Sequence, residues 1–173
     1  GVDSLDAAGT SGARETISDI EISLVVDVSG SMGQSSRLSN LKLAAASFFD
    51  SVMDNGPGKP GLPSVSIVPY NAHVNLGADV AKHVNFDNSH NYSYCGRFRD
   101  ESGQRDFDDT SIDENTWIER YGHFQYYGSD RSNYATPHPD NYWCSINDNR
   151  VLMLHQTDPE KLKAHINSFW ADG

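Results

Sequence analysis

Three oxygen-bearing side chains, Asp27, Ser29 and Ser31, stand two residues apart in the segment Asp27-Val28-Ser29-Gly30-Ser31-Met32. One carboxylate and two hydroxyls at this spacing converge on one small volume when the chain curls, and Gly30 permits the curl. An all-oxygen set suits a hard divalent cation, Mg²⁺ first with Mn²⁺ or Ca²⁺ as alternatives, rather than zinc or copper. The hydroxyls are neutral, so a cation held there keeps much of its charge and would attract an acidic residue of a protein partner. The plainer reading is a capping loop, because Asp, Ser and Gly are ordinary between a strand and a helix. Two catalytic readings fail on the same residues. A Gly-x-Ser-x-Gly nucleophile elbow needs glycine where Ser29 stands. A phosphatase with an aspartate nucleophile needs a second carboxylate there as general acid.

Other constellations carry less chemistry. The acidic run Asp106-Phe107-Asp108-Asp109-Thr110-Ser111-Ile112-Asp113-Glu114 has the composition of a calcium loop. Its sixth residue is Ser111, where an EF-hand turn needs glycine, so a solvated acidic surface is the better reading. The seven histidines show no His-x-His or His-Glu-x-x-His spacing, which leaves a catalytic zinc without support. Asn91-Tyr92-Ser93 fits a glycosylation triplet that also arises by chance. Cys95 and Cys144 have no Cys-x-x-Cys partner, which argues against thiolate zinc. Either they form a disulfide or both are free, and their polar, loop-like surroundings favour the bond. A bond between them would close a loop of about 50 residues, stabilising by on the order of 4 kcal/mol in the chain-entropy description. It would also place the chain in an oxidising compartment.

The elements that must position Asp27, Ser29 and Ser31 are legible on either side. Ile17–Asp27 predicts a strand with Ile20, Ile22, Leu24 and Val26 on one face. Val25 adds apolarity to the other face, as in a central strand. A helix follows from about Arg37 to Met53, with Ser35 or Ser36 as N-cap. Its stripe is Leu38, Leu41, Ala45, Phe48 and Val52, widened by Leu43, Ala44 and Phe49. The glycines and prolines of residues 55–61 end it. Val65, Ile67 and Val68 predict a second strand, and Pro69 points to an edge position. His73 to Leu76 is expected to pair back on it after a turn at Asn71-Ala72. Val151–Leu154 predicts a further strand. Thr157 and Glu160 with Pro159 open a last helix, whose stripe is Leu162, Ile166, Phe169 and Trp170.

Between these parts, residues 86–147 hold seven of the eight tyrosines and both cysteines, with few aliphatic residues. They are expected to be a long loop-rich insertion, functional or mobile, whose tyrosines either pack internally or present a contact surface. The balance of 13 Lys and Arg against 24 Asp and Glu gives a formal net charge of −11. That disfavours nucleic acid, which is held through basic surface, and docking on anionic lipid. No window reaches the roughly 18 apolar residues of a membrane span. The N-terminus lacks the apolar region of a signal peptide, so any anchor or export signal would lie upstream.

Asp27-Val-Ser-Gly-Ser-Met32 after Ile22-Ser-Leu-Val-Val26 resembles the metal-ion-dependent adhesion site (MIDAS) of a von Willebrand factor type A (VWA) domain. More narrowly, Glu21–Met32 and Val65–Gly77 are similar to bacterial Tad/Flp pilus-assembly proteins of the TadG-like group. The resemblance covers roughly residues 20–77 and 151–173. It implies an α/β fold, a Rossmann-like, mostly parallel sheet with helices on both faces. It also implies direct metal binding by Ser29 and Ser31 and binding by Asp27 through water. A Thr from a later loop and an Asp after a later strand would complete the site, and the pattern places both beyond Gly173. The implied organisation is a flexible lead at 1–16, a first VWA part at 17–85, a disulfide-stapled insertion at 86–147 and a C-terminally incomplete continuation at 148–173. The implied function is non-enzymatic. It is a metal-dependent adhesion or protein-binding module of a pilus or cell-surface system, outside the cytoplasm, engaging an acidic residue of a protein ligand or other pilus components. A metal-dependent hydrolase using the same cation to activate water is the competing reading, and it lacks an evident general base. A structural pilus component whose site only stabilises the loop is the third.

Overall fold

The computed structural model describes residues 20–54, 63–90, 93–97, 115–121, 144–145 and 149–171. The lead at 1–16, the glycines and prolines at 55–61, the acidic run at 106–114 and Asn91-Tyr92 lie outside the described residues.

Strand β1, Glu21–Asp27, pairs in parallel with β2, Ser64–Tyr70, and helix α1, Arg37–Val52, forms the connection. A parallel pair needs such a crossover, since a tight turn cannot return the chain to the same end. The register sets Ile22 beside Val65 and Leu24 beside Ile67. Every second residue therefore points to one face, and on that face lies the main core. Val26, Val28, Phe49, Val65 and Ile67 are buried there with Leu162, Ile166 and Phe169 of the last helix region. That helix, α3, spans Pro159–Ser168. It packs on α1, with Lys42 Nζ donating to the Asn167 carbonyl at 2.8 Å and Lys163 bridging Asp50 and Glu160.

The rest of the sheet runs off the other side of β2. Hairpin strand β3, Val74–Asn75, pairs antiparallel with the end of β2, as the turn at Asn71-Ala72 predicts. Helix α2 spans Gly77–Ala81, β4 Asn85–Phe86, β5 Cys95–Arg97, β6 Trp117–Tyr121 and β7 Leu152–Gln156. The order is β1-β2-β3-β5-β6-β4, with β7 also on β2. A second, smaller core of Ala81, Phe86 and Ile118 lies under this end, with Leu76, Val84 and Tyr94 against it. Gly96 is required there. A Cβ at that position would stand 2.8 Å from Leu76 Cδ1 and 2.9 Å from Ile118 Cγ2.

The chain is therefore α/β, and several expectations need correction. The sheet is mixed rather than mostly parallel. Among the described residues, β1–β2 and β4–β6 are parallel and the other four pairings antiparallel. Helices α1 and α3 share one face. On the opposite face of β1, Val25 is 61% exposed, and among the described residues β1 pairs with β2 alone. Strand β2 is interior although it contains Pro69. The β1–β2 bonds use the even-numbered backbone groups of β2, since Ser64 N donates to Ile20 and Tyr70 O accepts from Val28. The missing N–H of Pro69 thus faces the gap between β7, paired at Val65–Ile67, and β3, paired at Tyr70, where no ladder bond is lost.

Helix ends differ too. Ser36 is the N-cap of α1, but its side chain makes no capping bond, because φ of 62° turns its backbone left-handed. Leu43 lies outside the stripe and is 69% exposed. Asp158, not Thr157, caps α3, accepting from Glu160 N at 3.0 Å. Helix α3 stops at Ser168. Trp170 follows in a clamp with Asn149, whose Nδ2 donates to its carbonyl at 2.7 Å while Oδ1 accepts from its N–H at 3.1 Å. The described part of 86–147 is not loop alone, because β5 and β6 extend the main sheet.

Candidate metal centre

Asp27 is the last residue of β1, and the loop beyond it lies at the carboxyl end of the β1–β2 parallel pair. This is where open α/β sheets leave a crevice. The loop is anchored at both of its ends. Val28 is fully buried, and its N–H donates to the Tyr70 carbonyl at 2.8 Å, prolonging the pairing by one residue. Residues Gly30–Gly33 then form one 3-10 turn, with Met32 N donating to Ser29 O at 2.8 Å.

At this turn the Ser29 and Ser31 hydroxyls come together, and Asp27 is tied to the Ser29 backbone. The Asp27 carboxylate accepts from Ser29 N at 2.7 Å, which holds it over the start of the curl. The Ser29 and Ser31 hydroxyl oxygens are 3.2 Å apart. Adjacent ligands of an octahedral cation with 2.0–2.1 Å bonds lie about 2.9 Å apart. Two oxygens at 3.2 Å therefore fit neighbouring positions on one such ion with a small adjustment. Asp27 and Ser29 are half-buried and Ser31 is exposed, so the cluster opens to solvent. Among the described residues, no group of three or more His, Cys, Asp or Glu side chains is gathered for a metal. The donor set is hydroxyl-based with a single carboxylate.

Three features of the site were invisible to periodicity and composition. Ser35 and Ser36 both take positive φ, 51° and 62°, to turn the chain from the 3-10 segment into α1. Consecutive non-glycine residues there carry strain of roughly 1–2 kcal/mol each. Arg37, the first residue of α1, donates from Nη1 to the Ser31 carbonyl at 3.3 Å, tying the helix to the loop. Finally, a Cβ at Gly33 would meet Ala171 Cβ at 3.4 Å, so the chain leaving α3 passes directly beside the loop. The Asn149–Trp170 clamp fixes that approach. Sequence carried a signal for the first two only in the small-residue run Ser29–Ser36; the third is a long-range contact.

The other predicted pair is also joined. Cys95 and Cys144 form a disulfide across a sequence separation of 49, and both are fully buried. It holds residues 144–145 against β3, where Asn75 Nδ2 donates to the Ser145 carbonyl at 2.8 Å. This bond lies in the β3–β5 part of the sheet and contributes no group to the Asp27 loop. No family model matches the chain, and no curated protein or solved structure matches it.

Proposed function

We propose that the chain is a VWA-like, metal-dependent protein-binding module of a pilus or cell-surface system. Asp27, Ser29 and Ser31 would hold a divalent cation, Mg²⁺ foremost. The observation that carries this reading is the 3.2 Å approach of the Ser29 and Ser31 hydroxyls beside the Asp27 carboxylate at the end of a parallel strand. When bound, such a cation supplies residual positive charge and an open coordination position for a carboxylate. The chain's own residues do the rest. Ser29 N–H orients the Asp27 carboxylate, the Val28–Tyr70 bond fixes where the loop begins, and exposed Ser31 leaves the cluster accessible to a protein ligand. Two neutral hydroxyls and one carboxylate leave a divalent ion undercharged by its ligands, which favours an acidic group from a partner. A formal net charge of −11 over the whole chain makes such a point a local exception on an acidic surface. The buried disulfide supports a place outside the cytoplasm, and no described helix is long and apolar enough to cross a membrane.

Thermal unfolding in Mg²⁺, Mn²⁺ and Ca²⁺ tests the reading with Asp27→Ala and Ser29→Ala beside the parent. A saturable ion stabilises by RT ln(1 + [L]/Kd), about 2.7 kcal/mol at a hundredfold excess over Kd. The parent is expected to rise with divalent ion and both variants to lose the increment. Equal shifts in all three proteins would overturn the proposal.

A further inference from the structure

Among the described residues, the Arg120 guanidinium meets two aromatic rings and no carboxylate. It stands in β6 on the face of the second core, two residues from buried Ile118. Its central carbon lies 4.7 Å from the Phe86 ring centre and 5.1 Å from that of Tyr94. The two rings are stacked, with centres 6.3 Å apart and planes 20° apart. Rings attract the flat face of a guanidinium, which leaves its N–H groups, all in the plane, for another acceptor. Nε is buried and has no hydrogen-bond partner. The neighbours explain why. Across the β5–β6 ladder Arg120 is paired with Gly96, which offers no side chain. One step along that ladder, Arg97 donates from Nε and Nη2 to the two oxygens of Glu119. Successive residues alternate faces, so that pair lies on the other side of the sheet. Asp87, next to Phe86, has both oxygens on Ser89, accepting from its N–H at 3.0 Å and its hydroxyl at 2.7 Å. A chain with 24 acidic residues against 13 Lys and Arg does not lack carboxylates. A buried donor without an acceptor is rare, and it points to a group that binds there from outside.

We propose that Arg120, held on Phe86 and Tyr94, binds the carboxylate of a ligand. A guanidinium fork matches the two oxygens of a carboxylate through parallel N–H···O bonds. The charges match as well, since one guanidinium balances one carboxylate. A phosphate carries about two negative charges near neutral pH, and a single cation on a chain of net charge −11 leaves it undercompensated. Arg120 is half-buried, so the rings shield the pair on one side, where a lower dielectric strengthens it, and the ligand enters from the other. Stacking also fixes the guanidinium before the ligand arrives, which lowers the ordering cost of binding. The site uses no group of the Asp27 loop and does not depend on a metal there.

The Arg120 Nε–H proton reads this in the whole chain without divalent ions, because burial slows its exchange and keeps its NMR signal observable. Sodium acetate, chloride and phosphate are titrated at equal ionic strength. The expected result is a saturable shift of the Nε–H signal with acetate and none with chloride. A capped Gly-Glu-Gly peptide and its Gly-Gln-Gly counterpart identify the source of the carboxylate. Saturation by the glutamate peptide at lower concentration than acetate assigns it to an acidic side chain of a polypeptide, and the reverse assigns it to a small acid. Arg120→Lys keeps the charge and loses the fork, and should weaken acetate binding by about tenfold or more, read from the Phe86 and Gly96 amides. The titration of the parent decides alone if that variant does not fold. Four results overturn the proposal: no saturable shift with acetate or the glutamate peptide, an equal shift with chloride, tighter binding of phosphate than of acetate, or undiminished binding by folded Arg120→Lys.

Discussion

Removing the Cys95–Cys144 bond has a consequence whose size and location both follow from the structure. The bond closes a loop with a sequence separation of 49. The chain-entropy relation then gives about 4 kcal/mol for releasing it from the unfolded ensemble. A domain of this length holds on the order of 5–15 kcal/mol in total, so the loss is a large fraction. At roughly 2–4 °C per kcal/mol, the midpoint falls by about 8–16 °C. Alanine is the proper replacement at both positions, since each is fully buried and a serine hydroxyl there would need a new partner. The effect is also local. Cys95 lies in β5, paired with β3 and β6, whereas β1, β2, α1 and α3 share the separate larger core. Chemical denaturation of the Cys95→Ala/Cys144→Ala double variant gives the magnitude, and amide exchange gives the place. Protection should fall first at β3, β5 and β6 and last at Val26, Val65 and Ile67. A double variant within about 1 kcal/mol of the parent, or one that loses protection evenly along the sheet, would refute the reasoning.

Three further outcomes rest on the same description. Phe49→Ala, at a fully buried ring of the main core, should cost about 3–5 kcal/mol in denaturant unfolding. Gly96→Ala places a methyl within 3 Å of Leu76 and Ile118 and should cost about 1–3 kcal/mol by overpacking, read in the same assay with the main-core amides unchanged. The Lys163 ammonium is held above its ordinary 10.5 by hydrogen bonds to Asp50 and then Glu160. A raised lysine pKa stabilises fully below the unfolded value and is lost as pH rises through the folded one. The stability difference between the parent and Lys163→Met should therefore be constant from about pH 7, where carboxylates are ionised, up to 10.5 and shrink above it. A difference that grows with pH would contradict the α1–α3 bridge.

How far the sequence reveals this molecule depends on the length of each pattern. The sixteen residues of α1 repeat their apolar spacing often enough to locate both ends within a residue. The parallel partners β1 and β2 are apolar enough to be seen as strands. The place of β2 in the sheet was not legible, because Pro69 points to an edge. Pro69 stands inside, tolerated in a gap between two neighbours. Strands β4, β5 and β6 are two, three and five residues long. At that length they show no period, and they are held by cross-strand pairs such as Arg97 with Glu119, whose Nη2–Oε1 distance is 3.0 Å. Arg120 adds to this by stacking 4.7 Å from the Phe86 ring and 5.1 Å from Tyr94. Such contacts join residues far apart in the chain. The Asp27 loop was legible because its donors are local, and the contact of Gly33 with Ala171 was not because its partner lies far along the chain.

The proposed function stands or falls on whether a divalent ion sits on Asp27, Ser29 and Ser31. Paramagnetic broadening by Mn²⁺ reads this directly, since it falls steeply with distance and reports position as well as binding. At substoichiometric Mn²⁺, the amide signals of Val28 to Gly33 and of Ala171 should broaden first. Excess Mg²⁺ should restore them, and Asp27→Ala should abolish the effect. Broadening that starts elsewhere, or that persists unchanged in Asp27→Ala, would contradict a cation site at the end of β1.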